Sequence, residues 1–190
     1  MLPVTLTSDL VRLDLPMRSD VAAITEACQD EAVQEYTTVP SPYRESDARR
    51  FVDALVGPGW ASGETLTWAV RRPDSTWLQG VISFRMLHHD IGFWLAPWAR
   101  GSGLMTEATR LVVDYAHREL AQPEVYWECF VGNIGSAAVA RRTGFVYTGD
   151  GEGLYPYRDG SPAHVWKGLH HAEPPLEPVL EWPADSYGAQ

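Results

Sequence analysis

The stretch Asp90 to His117, DIGFWLAPWARGSGLMTEATRLVVDYAH, constrains the fold of this chain more than any other. Ile91 to Ala96 is a short apolar and aromatic run, long enough for one buried strand. Pro97 ends that strand, because proline has no N–H to give to a sheet ladder. Arg100-Gly101-Ser102-Gly103 follows, and then a helical period begins. Leu104, Ala108, Leu111, Val112 and Tyr115 recur at steps of three and four and predict one apolar face. Glu107 in the first turn and His117 with Arg118 in the last turn suit the helix dipole. A strand, a glycine turn and a helix start together make an anion trap. N–H groups of the first turn have no intrahelical acceptor, and glycines let an anion approach them closely.

The glycine spacing narrows the choice of anion. A Walker A loop needs GxxxxGK[ST], and the chain contains no Gly-Lys-Ser or Gly-Lys-Thr. A dinucleotide fingerprint, GxGxxG, is met only in part by Gly101-Ser102-Gly103-Leu104-Met105-Thr106, which ends in Thr. Four residues, Pro97 to Arg100, also separate strand from glycine, and no clear opening βαβ unit precedes them. The pattern Arg/Gln-x-x-Gly-x-Gly/Ala fits Arg100 to Met105. This resembles the acetyl-CoA pyrophosphate loop of the GNAT superfamily of N-acetyltransferases. The flanking IGFWLAPWARGSGLMTEA is similar to the branch that acetylates ribosomal-protein N-termini, the Rim-type enzymes. Met105 departs from the usual Gly or Ala, a change tolerated if its side chain points into the core.

A second string lies at the right distance. Val125 to Val131 (VYWECFV) reads as a strand, and Gly132-Asn133-Ile134-Gly135-Ser136 leads into a short helix, Ala137 to Thr143, ended by Gly144. This NxxSxxVxxxxGF string resembles the second acetyl-CoA motif of the same family. Two motifs in the correct order are more specific than either alone.

The rest of the chain fits around these motifs. Val4 to Leu15 alternates as a first strand closed by Pro16. Ser19 or Asp20 can cap a helix to about Gln29. Pro40 to Tyr43 is an extended connector, and Glu45 to Val56 predicts a second helix stopped by Gly57-Pro58-Gly59. Thr65 to Arg71 and Trp77 to Met86 read as two further strands joined by a turn at Arg72-Pro73-Asp74-Ser75. The resemblance, covering about residues 8–169, implies an α/β fold: a mixed, mostly antiparallel sheet of about six to seven strands flanked by helices. Residues 1–169 would form that domain and 170–190 an acidic, proline-rich tail. From Ala172 onward the chain has no Lys or Arg, while Pro174, Pro175, Pro178 and Pro183 oppose regular structure despite acids recurring at Glu173, Glu177, Glu181 and Asp185. Leu180 and Trp182 could pin the tail to its own domain or to a second subunit, as in a homodimer.

Acetyl transfer to an amine requires a held thioester, a deprotonated amine and a proton or hydrogen bond for the departing thiolate. The resemblance assigns the loop Arg100, Gly101, Ser102, Gly103, Leu104, Met105 and Thr106 to the pyrophosphate. It assigns the splayed strand Phe93, Trp94 and Leu95 to the pantetheine arm, and Asn133 to a further cofactor contact, where it can also cap the next helix. Asp90 is the first choice for general base, because His89-Asp90-Ile91 matches the place of a catalytic glutamate in histone-acetylating relatives. Glu152 and Glu128 are alternatives. The tyrosine that many relatives use as acid falls at Ala140, so Ser136, matching a serine of the ribosomal branch, is assigned the sulfur contact, with Tyr147 and Tyr155 in reserve. Tyr36, Tyr43 and Trp60 are candidates for the acceptor side. The competing reading is an acyl-CoA-binding module without turnover.

Composition sets outer limits. A formal charge of −10 supplies no basic surface for nucleic acid and favours a cationic acceptor. Cys28 and Cys129 form no metal spacing and read as buried free thiols in a reducing compartment, and His88-His89 and His170-His171 lack supporting ligands; no metal site is expected. No apolar run reaches membrane-span length and no signal peptide is visible, which predicts a cytoplasmic protein.

Overall fold

The computed structural model describes residues 1–173 and 179–188. Pro174, Pro175, Glu177 and Pro178 of the predicted tail lie outside the described residues. The order of elements is β1 (Leu6–Thr7), β2 (Arg12–Asp14), α1 (Val21–Ala27), α2 (Glu31–Tyr36), α3 (Glu45–Arg50), a π-helical turn (Phe51–Val56), α4 (Gly57–Ser62), β3 (Thr65–Arg71), β4 (Gly80–Arg85), β5 (Asp90–Leu95), α5 (Leu104–Arg118), β6 (Glu124–Phe130), α6 (Ile134–Arg142), β7 (Val146–Glu152) and β8 (His164–His171). They build an eight-stranded sheet of order β1-β2-β3-β4-β5-β6-β8-β7. Every ladder is antiparallel except β5–β6. That pair is parallel because α5 carries the chain back across the sheet between them.

Two predicted elements differ in detail. The first strand is a small hairpin, which brings the count to eight rather than six or seven. Ser8 makes the break: its Oγ accepts from the N–H groups of Leu10 and Val11, both at 3.3 Å, so a turn replaces continuous strand. The second helix does not stop at Gly57-Pro58-Gly59 but continues through α4 to Gly63, whose φ of 77° makes the left-handed cap. Pro58 is accommodated at the start of α4, where its missing N–H costs little, and the π turn immediately precedes that position.

Strand alternation sorts side chains to two buried faces. Leu66, Trp68 and Val70 of β3, with Ile82 and Phe84 of β4, join Leu104, Ala108 and Val112 of α5 in the larger core. Ala69 and Val81 point the other way, against Ile24, Cys28 and Tyr43. The face predicted for α5 is therefore the buried one, widened by Met105, Val113 and Ala116.

The β5–β6 ladder is short and sets up the site. Register pairs run only Asp90↔Tyr126 and Ile91↔Trp127. Beyond them the strands part. From Gly92 to Leu95, β5 stays paired with β4, and from Glu128 to Phe130, β6 stays paired with β8. No ladder joins the facing edges of the wedge, and Phe130 O at its open end accepts from Asn133 N–H at 3.0 Å.

Candidate active site

Two cavities meet at the wedge. The larger, about 590 Å³, extends from the wedge to the glycine loop; the smaller, about 270 Å³, opens on the side of α2 and the α2–α3 connection. Tyr36, Thr37, Phe93, Trp94, Asn133 and Ser136 line both. These six residues come from α2, β5 and the start of α6, so the junction depends on both sequence motifs together.

At the far end of the larger cavity, Gly101 (φ 71°) and Gly103 (φ 78°) adopt left-handed backbone that favours glycine. Gly103 sits at the N-cap of α5 and supplies no side-chain cap, which leaves the first-turn N–H groups for an anion. Leu95, Arg100, Gly101, Gly103, Met105 and Thr106 line this cavity. Met105 turns its side chain into the core at 4% exposure. Two members of the predicted set do not line it: Leu104 is fully buried in the core, and Ser102 turns its hydroxyl onto the Ala99 carbonyl. Arg100 forms an ion pair with Asp30, which also caps α2 by accepting from Val33 N–H at 3.1 Å. Partial burial pushes the Asp30 carboxyl up, but Arg100 and the backbone donors outweigh it and hold it below the usual range.

Asn133 caps α6 by accepting from Ser136 N–H at 3.0 Å. Ser136 Oγ in turn accepts from the Trp127 indole Nε1–H at 3.1 Å. An indole can only donate, so the serine keeps its own proton for another acceptor. Cys129 lines the smaller cavity nearby, but burial, only partly offset by Ser136, pushes its thiol up to about 12. A thiol held protonated in this way is a poor nucleophile.

The three carboxylates proposed from sequence are separated by the fold. Asp90 is fully buried, lines neither cavity, and is gripped by Arg85, whose Nε lies 3.1 and 3.0 Å from its two oxygens. Tyr155 Oη sits 3.5 Å from the same carboxylate and its ring lies 4.5 Å beneath the Arg85 guanidinium. Burial works against the Arg85 charge, yet Asp90 outweighs it and keeps the guanidinium pKa above its ordinary value. Glu152 is exposed near the end of β7, opposite His164, and lines neither cavity. Glu128 does line the smaller cavity. Its oxygens accept from Leu154 N–H at 2.9 and 3.0 Å and from Tyr126 Oη at 3.0 Å, which fixes its direction. A charged residue inside the run Val125 to Val131, whose other side chains are aromatic, aliphatic or sulfur-bearing, is the signal that marks it in the sequence.

Of the acceptor-side candidates, Tyr36 reaches both cavities, while Tyr43 is buried in the smaller core. Trp60 is a correction: it is 1% exposed, gives its indole N–H to Thr67 O at 3.0 Å and packs edge-on to Trp68. Its size and burial make it a core residue. Tyr147 faces away from the cavities, toward the C-terminal segment. Among the described residues no group of three or more His, Cys, Asp or Glu side chains could hold a metal ion, and no helix is long and apolar enough to cross a membrane.

Known proteins resemble this chain in sequence and in fold. YdaF of Bacillus subtilis (strain 168), named provisionally as a ribosomal N-acetyltransferase, is 35% identical over 100 residues, 50% of this chain and 49% of its own. The chain thus spans about half the length of that curated relative. Among solved structures, RimL, a ribosomal L7/L12 alpha-N-protein acetyltransferase in complex with coenzyme A, superposes with TM-score 0.75 at 20% identity, covering 88% of this chain and 98% of RimL. The microcin C7 self-immunity acetyltransferase MccE, in complex with acetyl-CoA and AMP, gives 0.74 at 19%, covering 86% and 93%. Residues 11–146 match the acetyltransferase (GNAT) domain family, and this chain belongs to it.

Proposed function

We propose that the protein is an acetyl-CoA-dependent N-acetyltransferase that acetylates a primary amine by direct attack. One observation carries the reading: a cavity ending in a glycine-lined helix start meets a second, carboxylate-bearing cavity at a wedge that no ladder joins. The larger cavity suits the co-substrate. Gly101, Gly103 and the first-turn N–H groups of α5 would hold its pyrophosphate, and the free edge of Phe93 to Leu95 would pair with its amide-rich arm. Bound there, acetyl-CoA supplies an activated thioester carbonyl and a thiolate leaving group.

The chain's own residues do the rest. Glu128, fixed by Leu154 and Tyr126, takes a proton from the incoming ammonium so that the amine lone pair can attack. Ser136, whose oxygen is held by Trp127, directs its O–H toward the departing sulfur. Tyr36 and Tyr155 line the acceptor cavity and shield it from water. The protonated Cys129 thiol argues against a covalent acetyl-cysteine step.

The branch resemblance and the relatives' names favour a protein N-terminus as acceptor, and a cytoplasmic setting and a homodimer belong to the same proposal. The test is free-thiol release from acetyl-CoA with three acceptors: a peptide with a free α-amino group, spermidine, and an aminoglycoside. Release with the peptide supports the reading. Acetyl-CoA binding without release from any amine overturns it in favour of a non-catalytic module.

A further inference from the structure

The segment 179–188 follows β8 and lies beyond the residues that match the family, yet it is built into the back of the site. Its backbone at Leu180 forms a bridge with Tyr147 of β7. Trp182 packs on Trp127 with ring centroids 5.6 Å apart and on Tyr147 at 5.5 Å. A short 3-10 turn, Ala184–Tyr187, then runs alongside α6. Arg141, near the end of α6, donates to the backbone and hydroxyl oxygens of fully buried Ser186, both at 3.0 Å. The same guanidinium lies 5.5 Å over the Trp182 ring and 4.0 Å over Tyr187. Gly188 ends the segment within 4 Å of the Ile134 side chain, at the start of α6, for any Cβ placed there.

The segment therefore grips α6 at both ends and presses on Trp127, and Trp127 is the residue that holds Ser136 Oγ. We propose that the C-terminal segment is a positioning strap: Trp182 acts through Trp127 to hold Ser136 at the junction of the two cavities. Trp182 lines neither of the two cavities and is a positioning residue rather than a catalytic one. The catalytic meaning of the strap rests on the acyl-transfer reading above. Its mechanical part does not.

Full-length Trp182→Ala and the conservative Trp182→Phe test it, with Tm checked to confirm that both are folded. Hydrogen exchange of the Trp127 indole N–H, its resonance assigned by Trp127→Phe, should speed up about tenfold or more in Trp182→Ala and stay near wild type in Trp182→Phe. With acetyl-CoA and the best acceptor of the three-amine panel, Trp182→Ala should lower kcat about tenfold and leave the KM for acetyl-CoA within about twofold. In a Ser136→Ala background the same substitution should cost little more, because the group being positioned is gone. Unchanged exchange, unchanged kcat, or an equal loss in both backgrounds each overturns the proposal. A wild-type protein with no turnover would count against the acyl-transfer reading alone, and the exchange rates would then decide whether the strap holds Trp127.

Discussion

At the residue scale, the division of labour between carboxylates makes the sharpest predictions. Glu128 faces the proposed acceptor cavity, so Glu128→Gln should lower kcat by about 10²–10⁴, the range for loss of a general base, with Tm little changed. Asp90 answers to a different role, because it neutralises Arg85 in the sheet. Asp90→Asn should destabilise by about 2–4 kcal/mol, towards the low end because the Arg85 side chain is 30% exposed, and should slow turnover less than Glu128→Gln. Paired thermal melts and rate measurements on the two variants separate the roles, and equal kinetic losses would contradict the assignment. The cysteines give a pH prediction. Burial raises both thiols from an ordinary 9.0 to about 12, so they stay neutral when folded while the unfolded chain ionises first. That contribution to stability is complete below pH 9 and declines as pH rises from 9 towards 12. Denaturation midpoints should fall between about pH 8 and pH 10.5, and a thiol reagent at about pH 8 should modify only the unfolded protein.

At the element scale, the loop before α5 is the part most exposed to single substitutions. Gly103→Val would put a branched side chain at φ 78°, a strain of about 1–2 kcal/mol, and displace the N–H groups that face the larger cavity. Acetyl-CoA affinity, read by calorimetry, should drop by about tenfold or more. This loop was legible from sequence because its chemistry is local: glycine spacing, a strand stop at Pro97 and a helical period together define it. Asn133 and Ser136 were legible for the same reason. Asp90 and Trp60 were not, because their roles depend on partners set by sheet register and packing. The register pairing Arg85 with Asp90 is what turns a strand-end carboxylate into half of a buried ion pair. Trp60 reads as an acceptor-side aromatic until α4 is seen to continue past Pro58 and fold it under β3. The tail is half legible: apolar Leu180 and Trp182 in an acidic, proline-rich stretch mark an anchor, but the seat of Trp182 on Trp127 comes from tertiary contact alone.

At the scale of the whole molecule, the chain carries a formal charge of −10, which would draw a cationic acceptor of the proposed kind. Long-range attraction should speed the encounter, so kcat/KM for spermidine should decline with added salt more steeply than for a neutral-bodied peptide amine. The two halves of the sheet, β1 to β5 and β6 to β8, are joined by only a short parallel ladder, and the opening between them is the proposed site. The measurement that tests this most directly is calorimetric titration of the purified protein with acetyl-CoA, beside free CoA and NADH. Micromolar binding of acetyl-CoA, weakened by Gly103→Val and with no comparable NADH binding, is the predicted result. Absence of acetyl-CoA binding, or NADH binding in its place, would contradict the assignment of the larger cavity and with it the proposed acyl transfer.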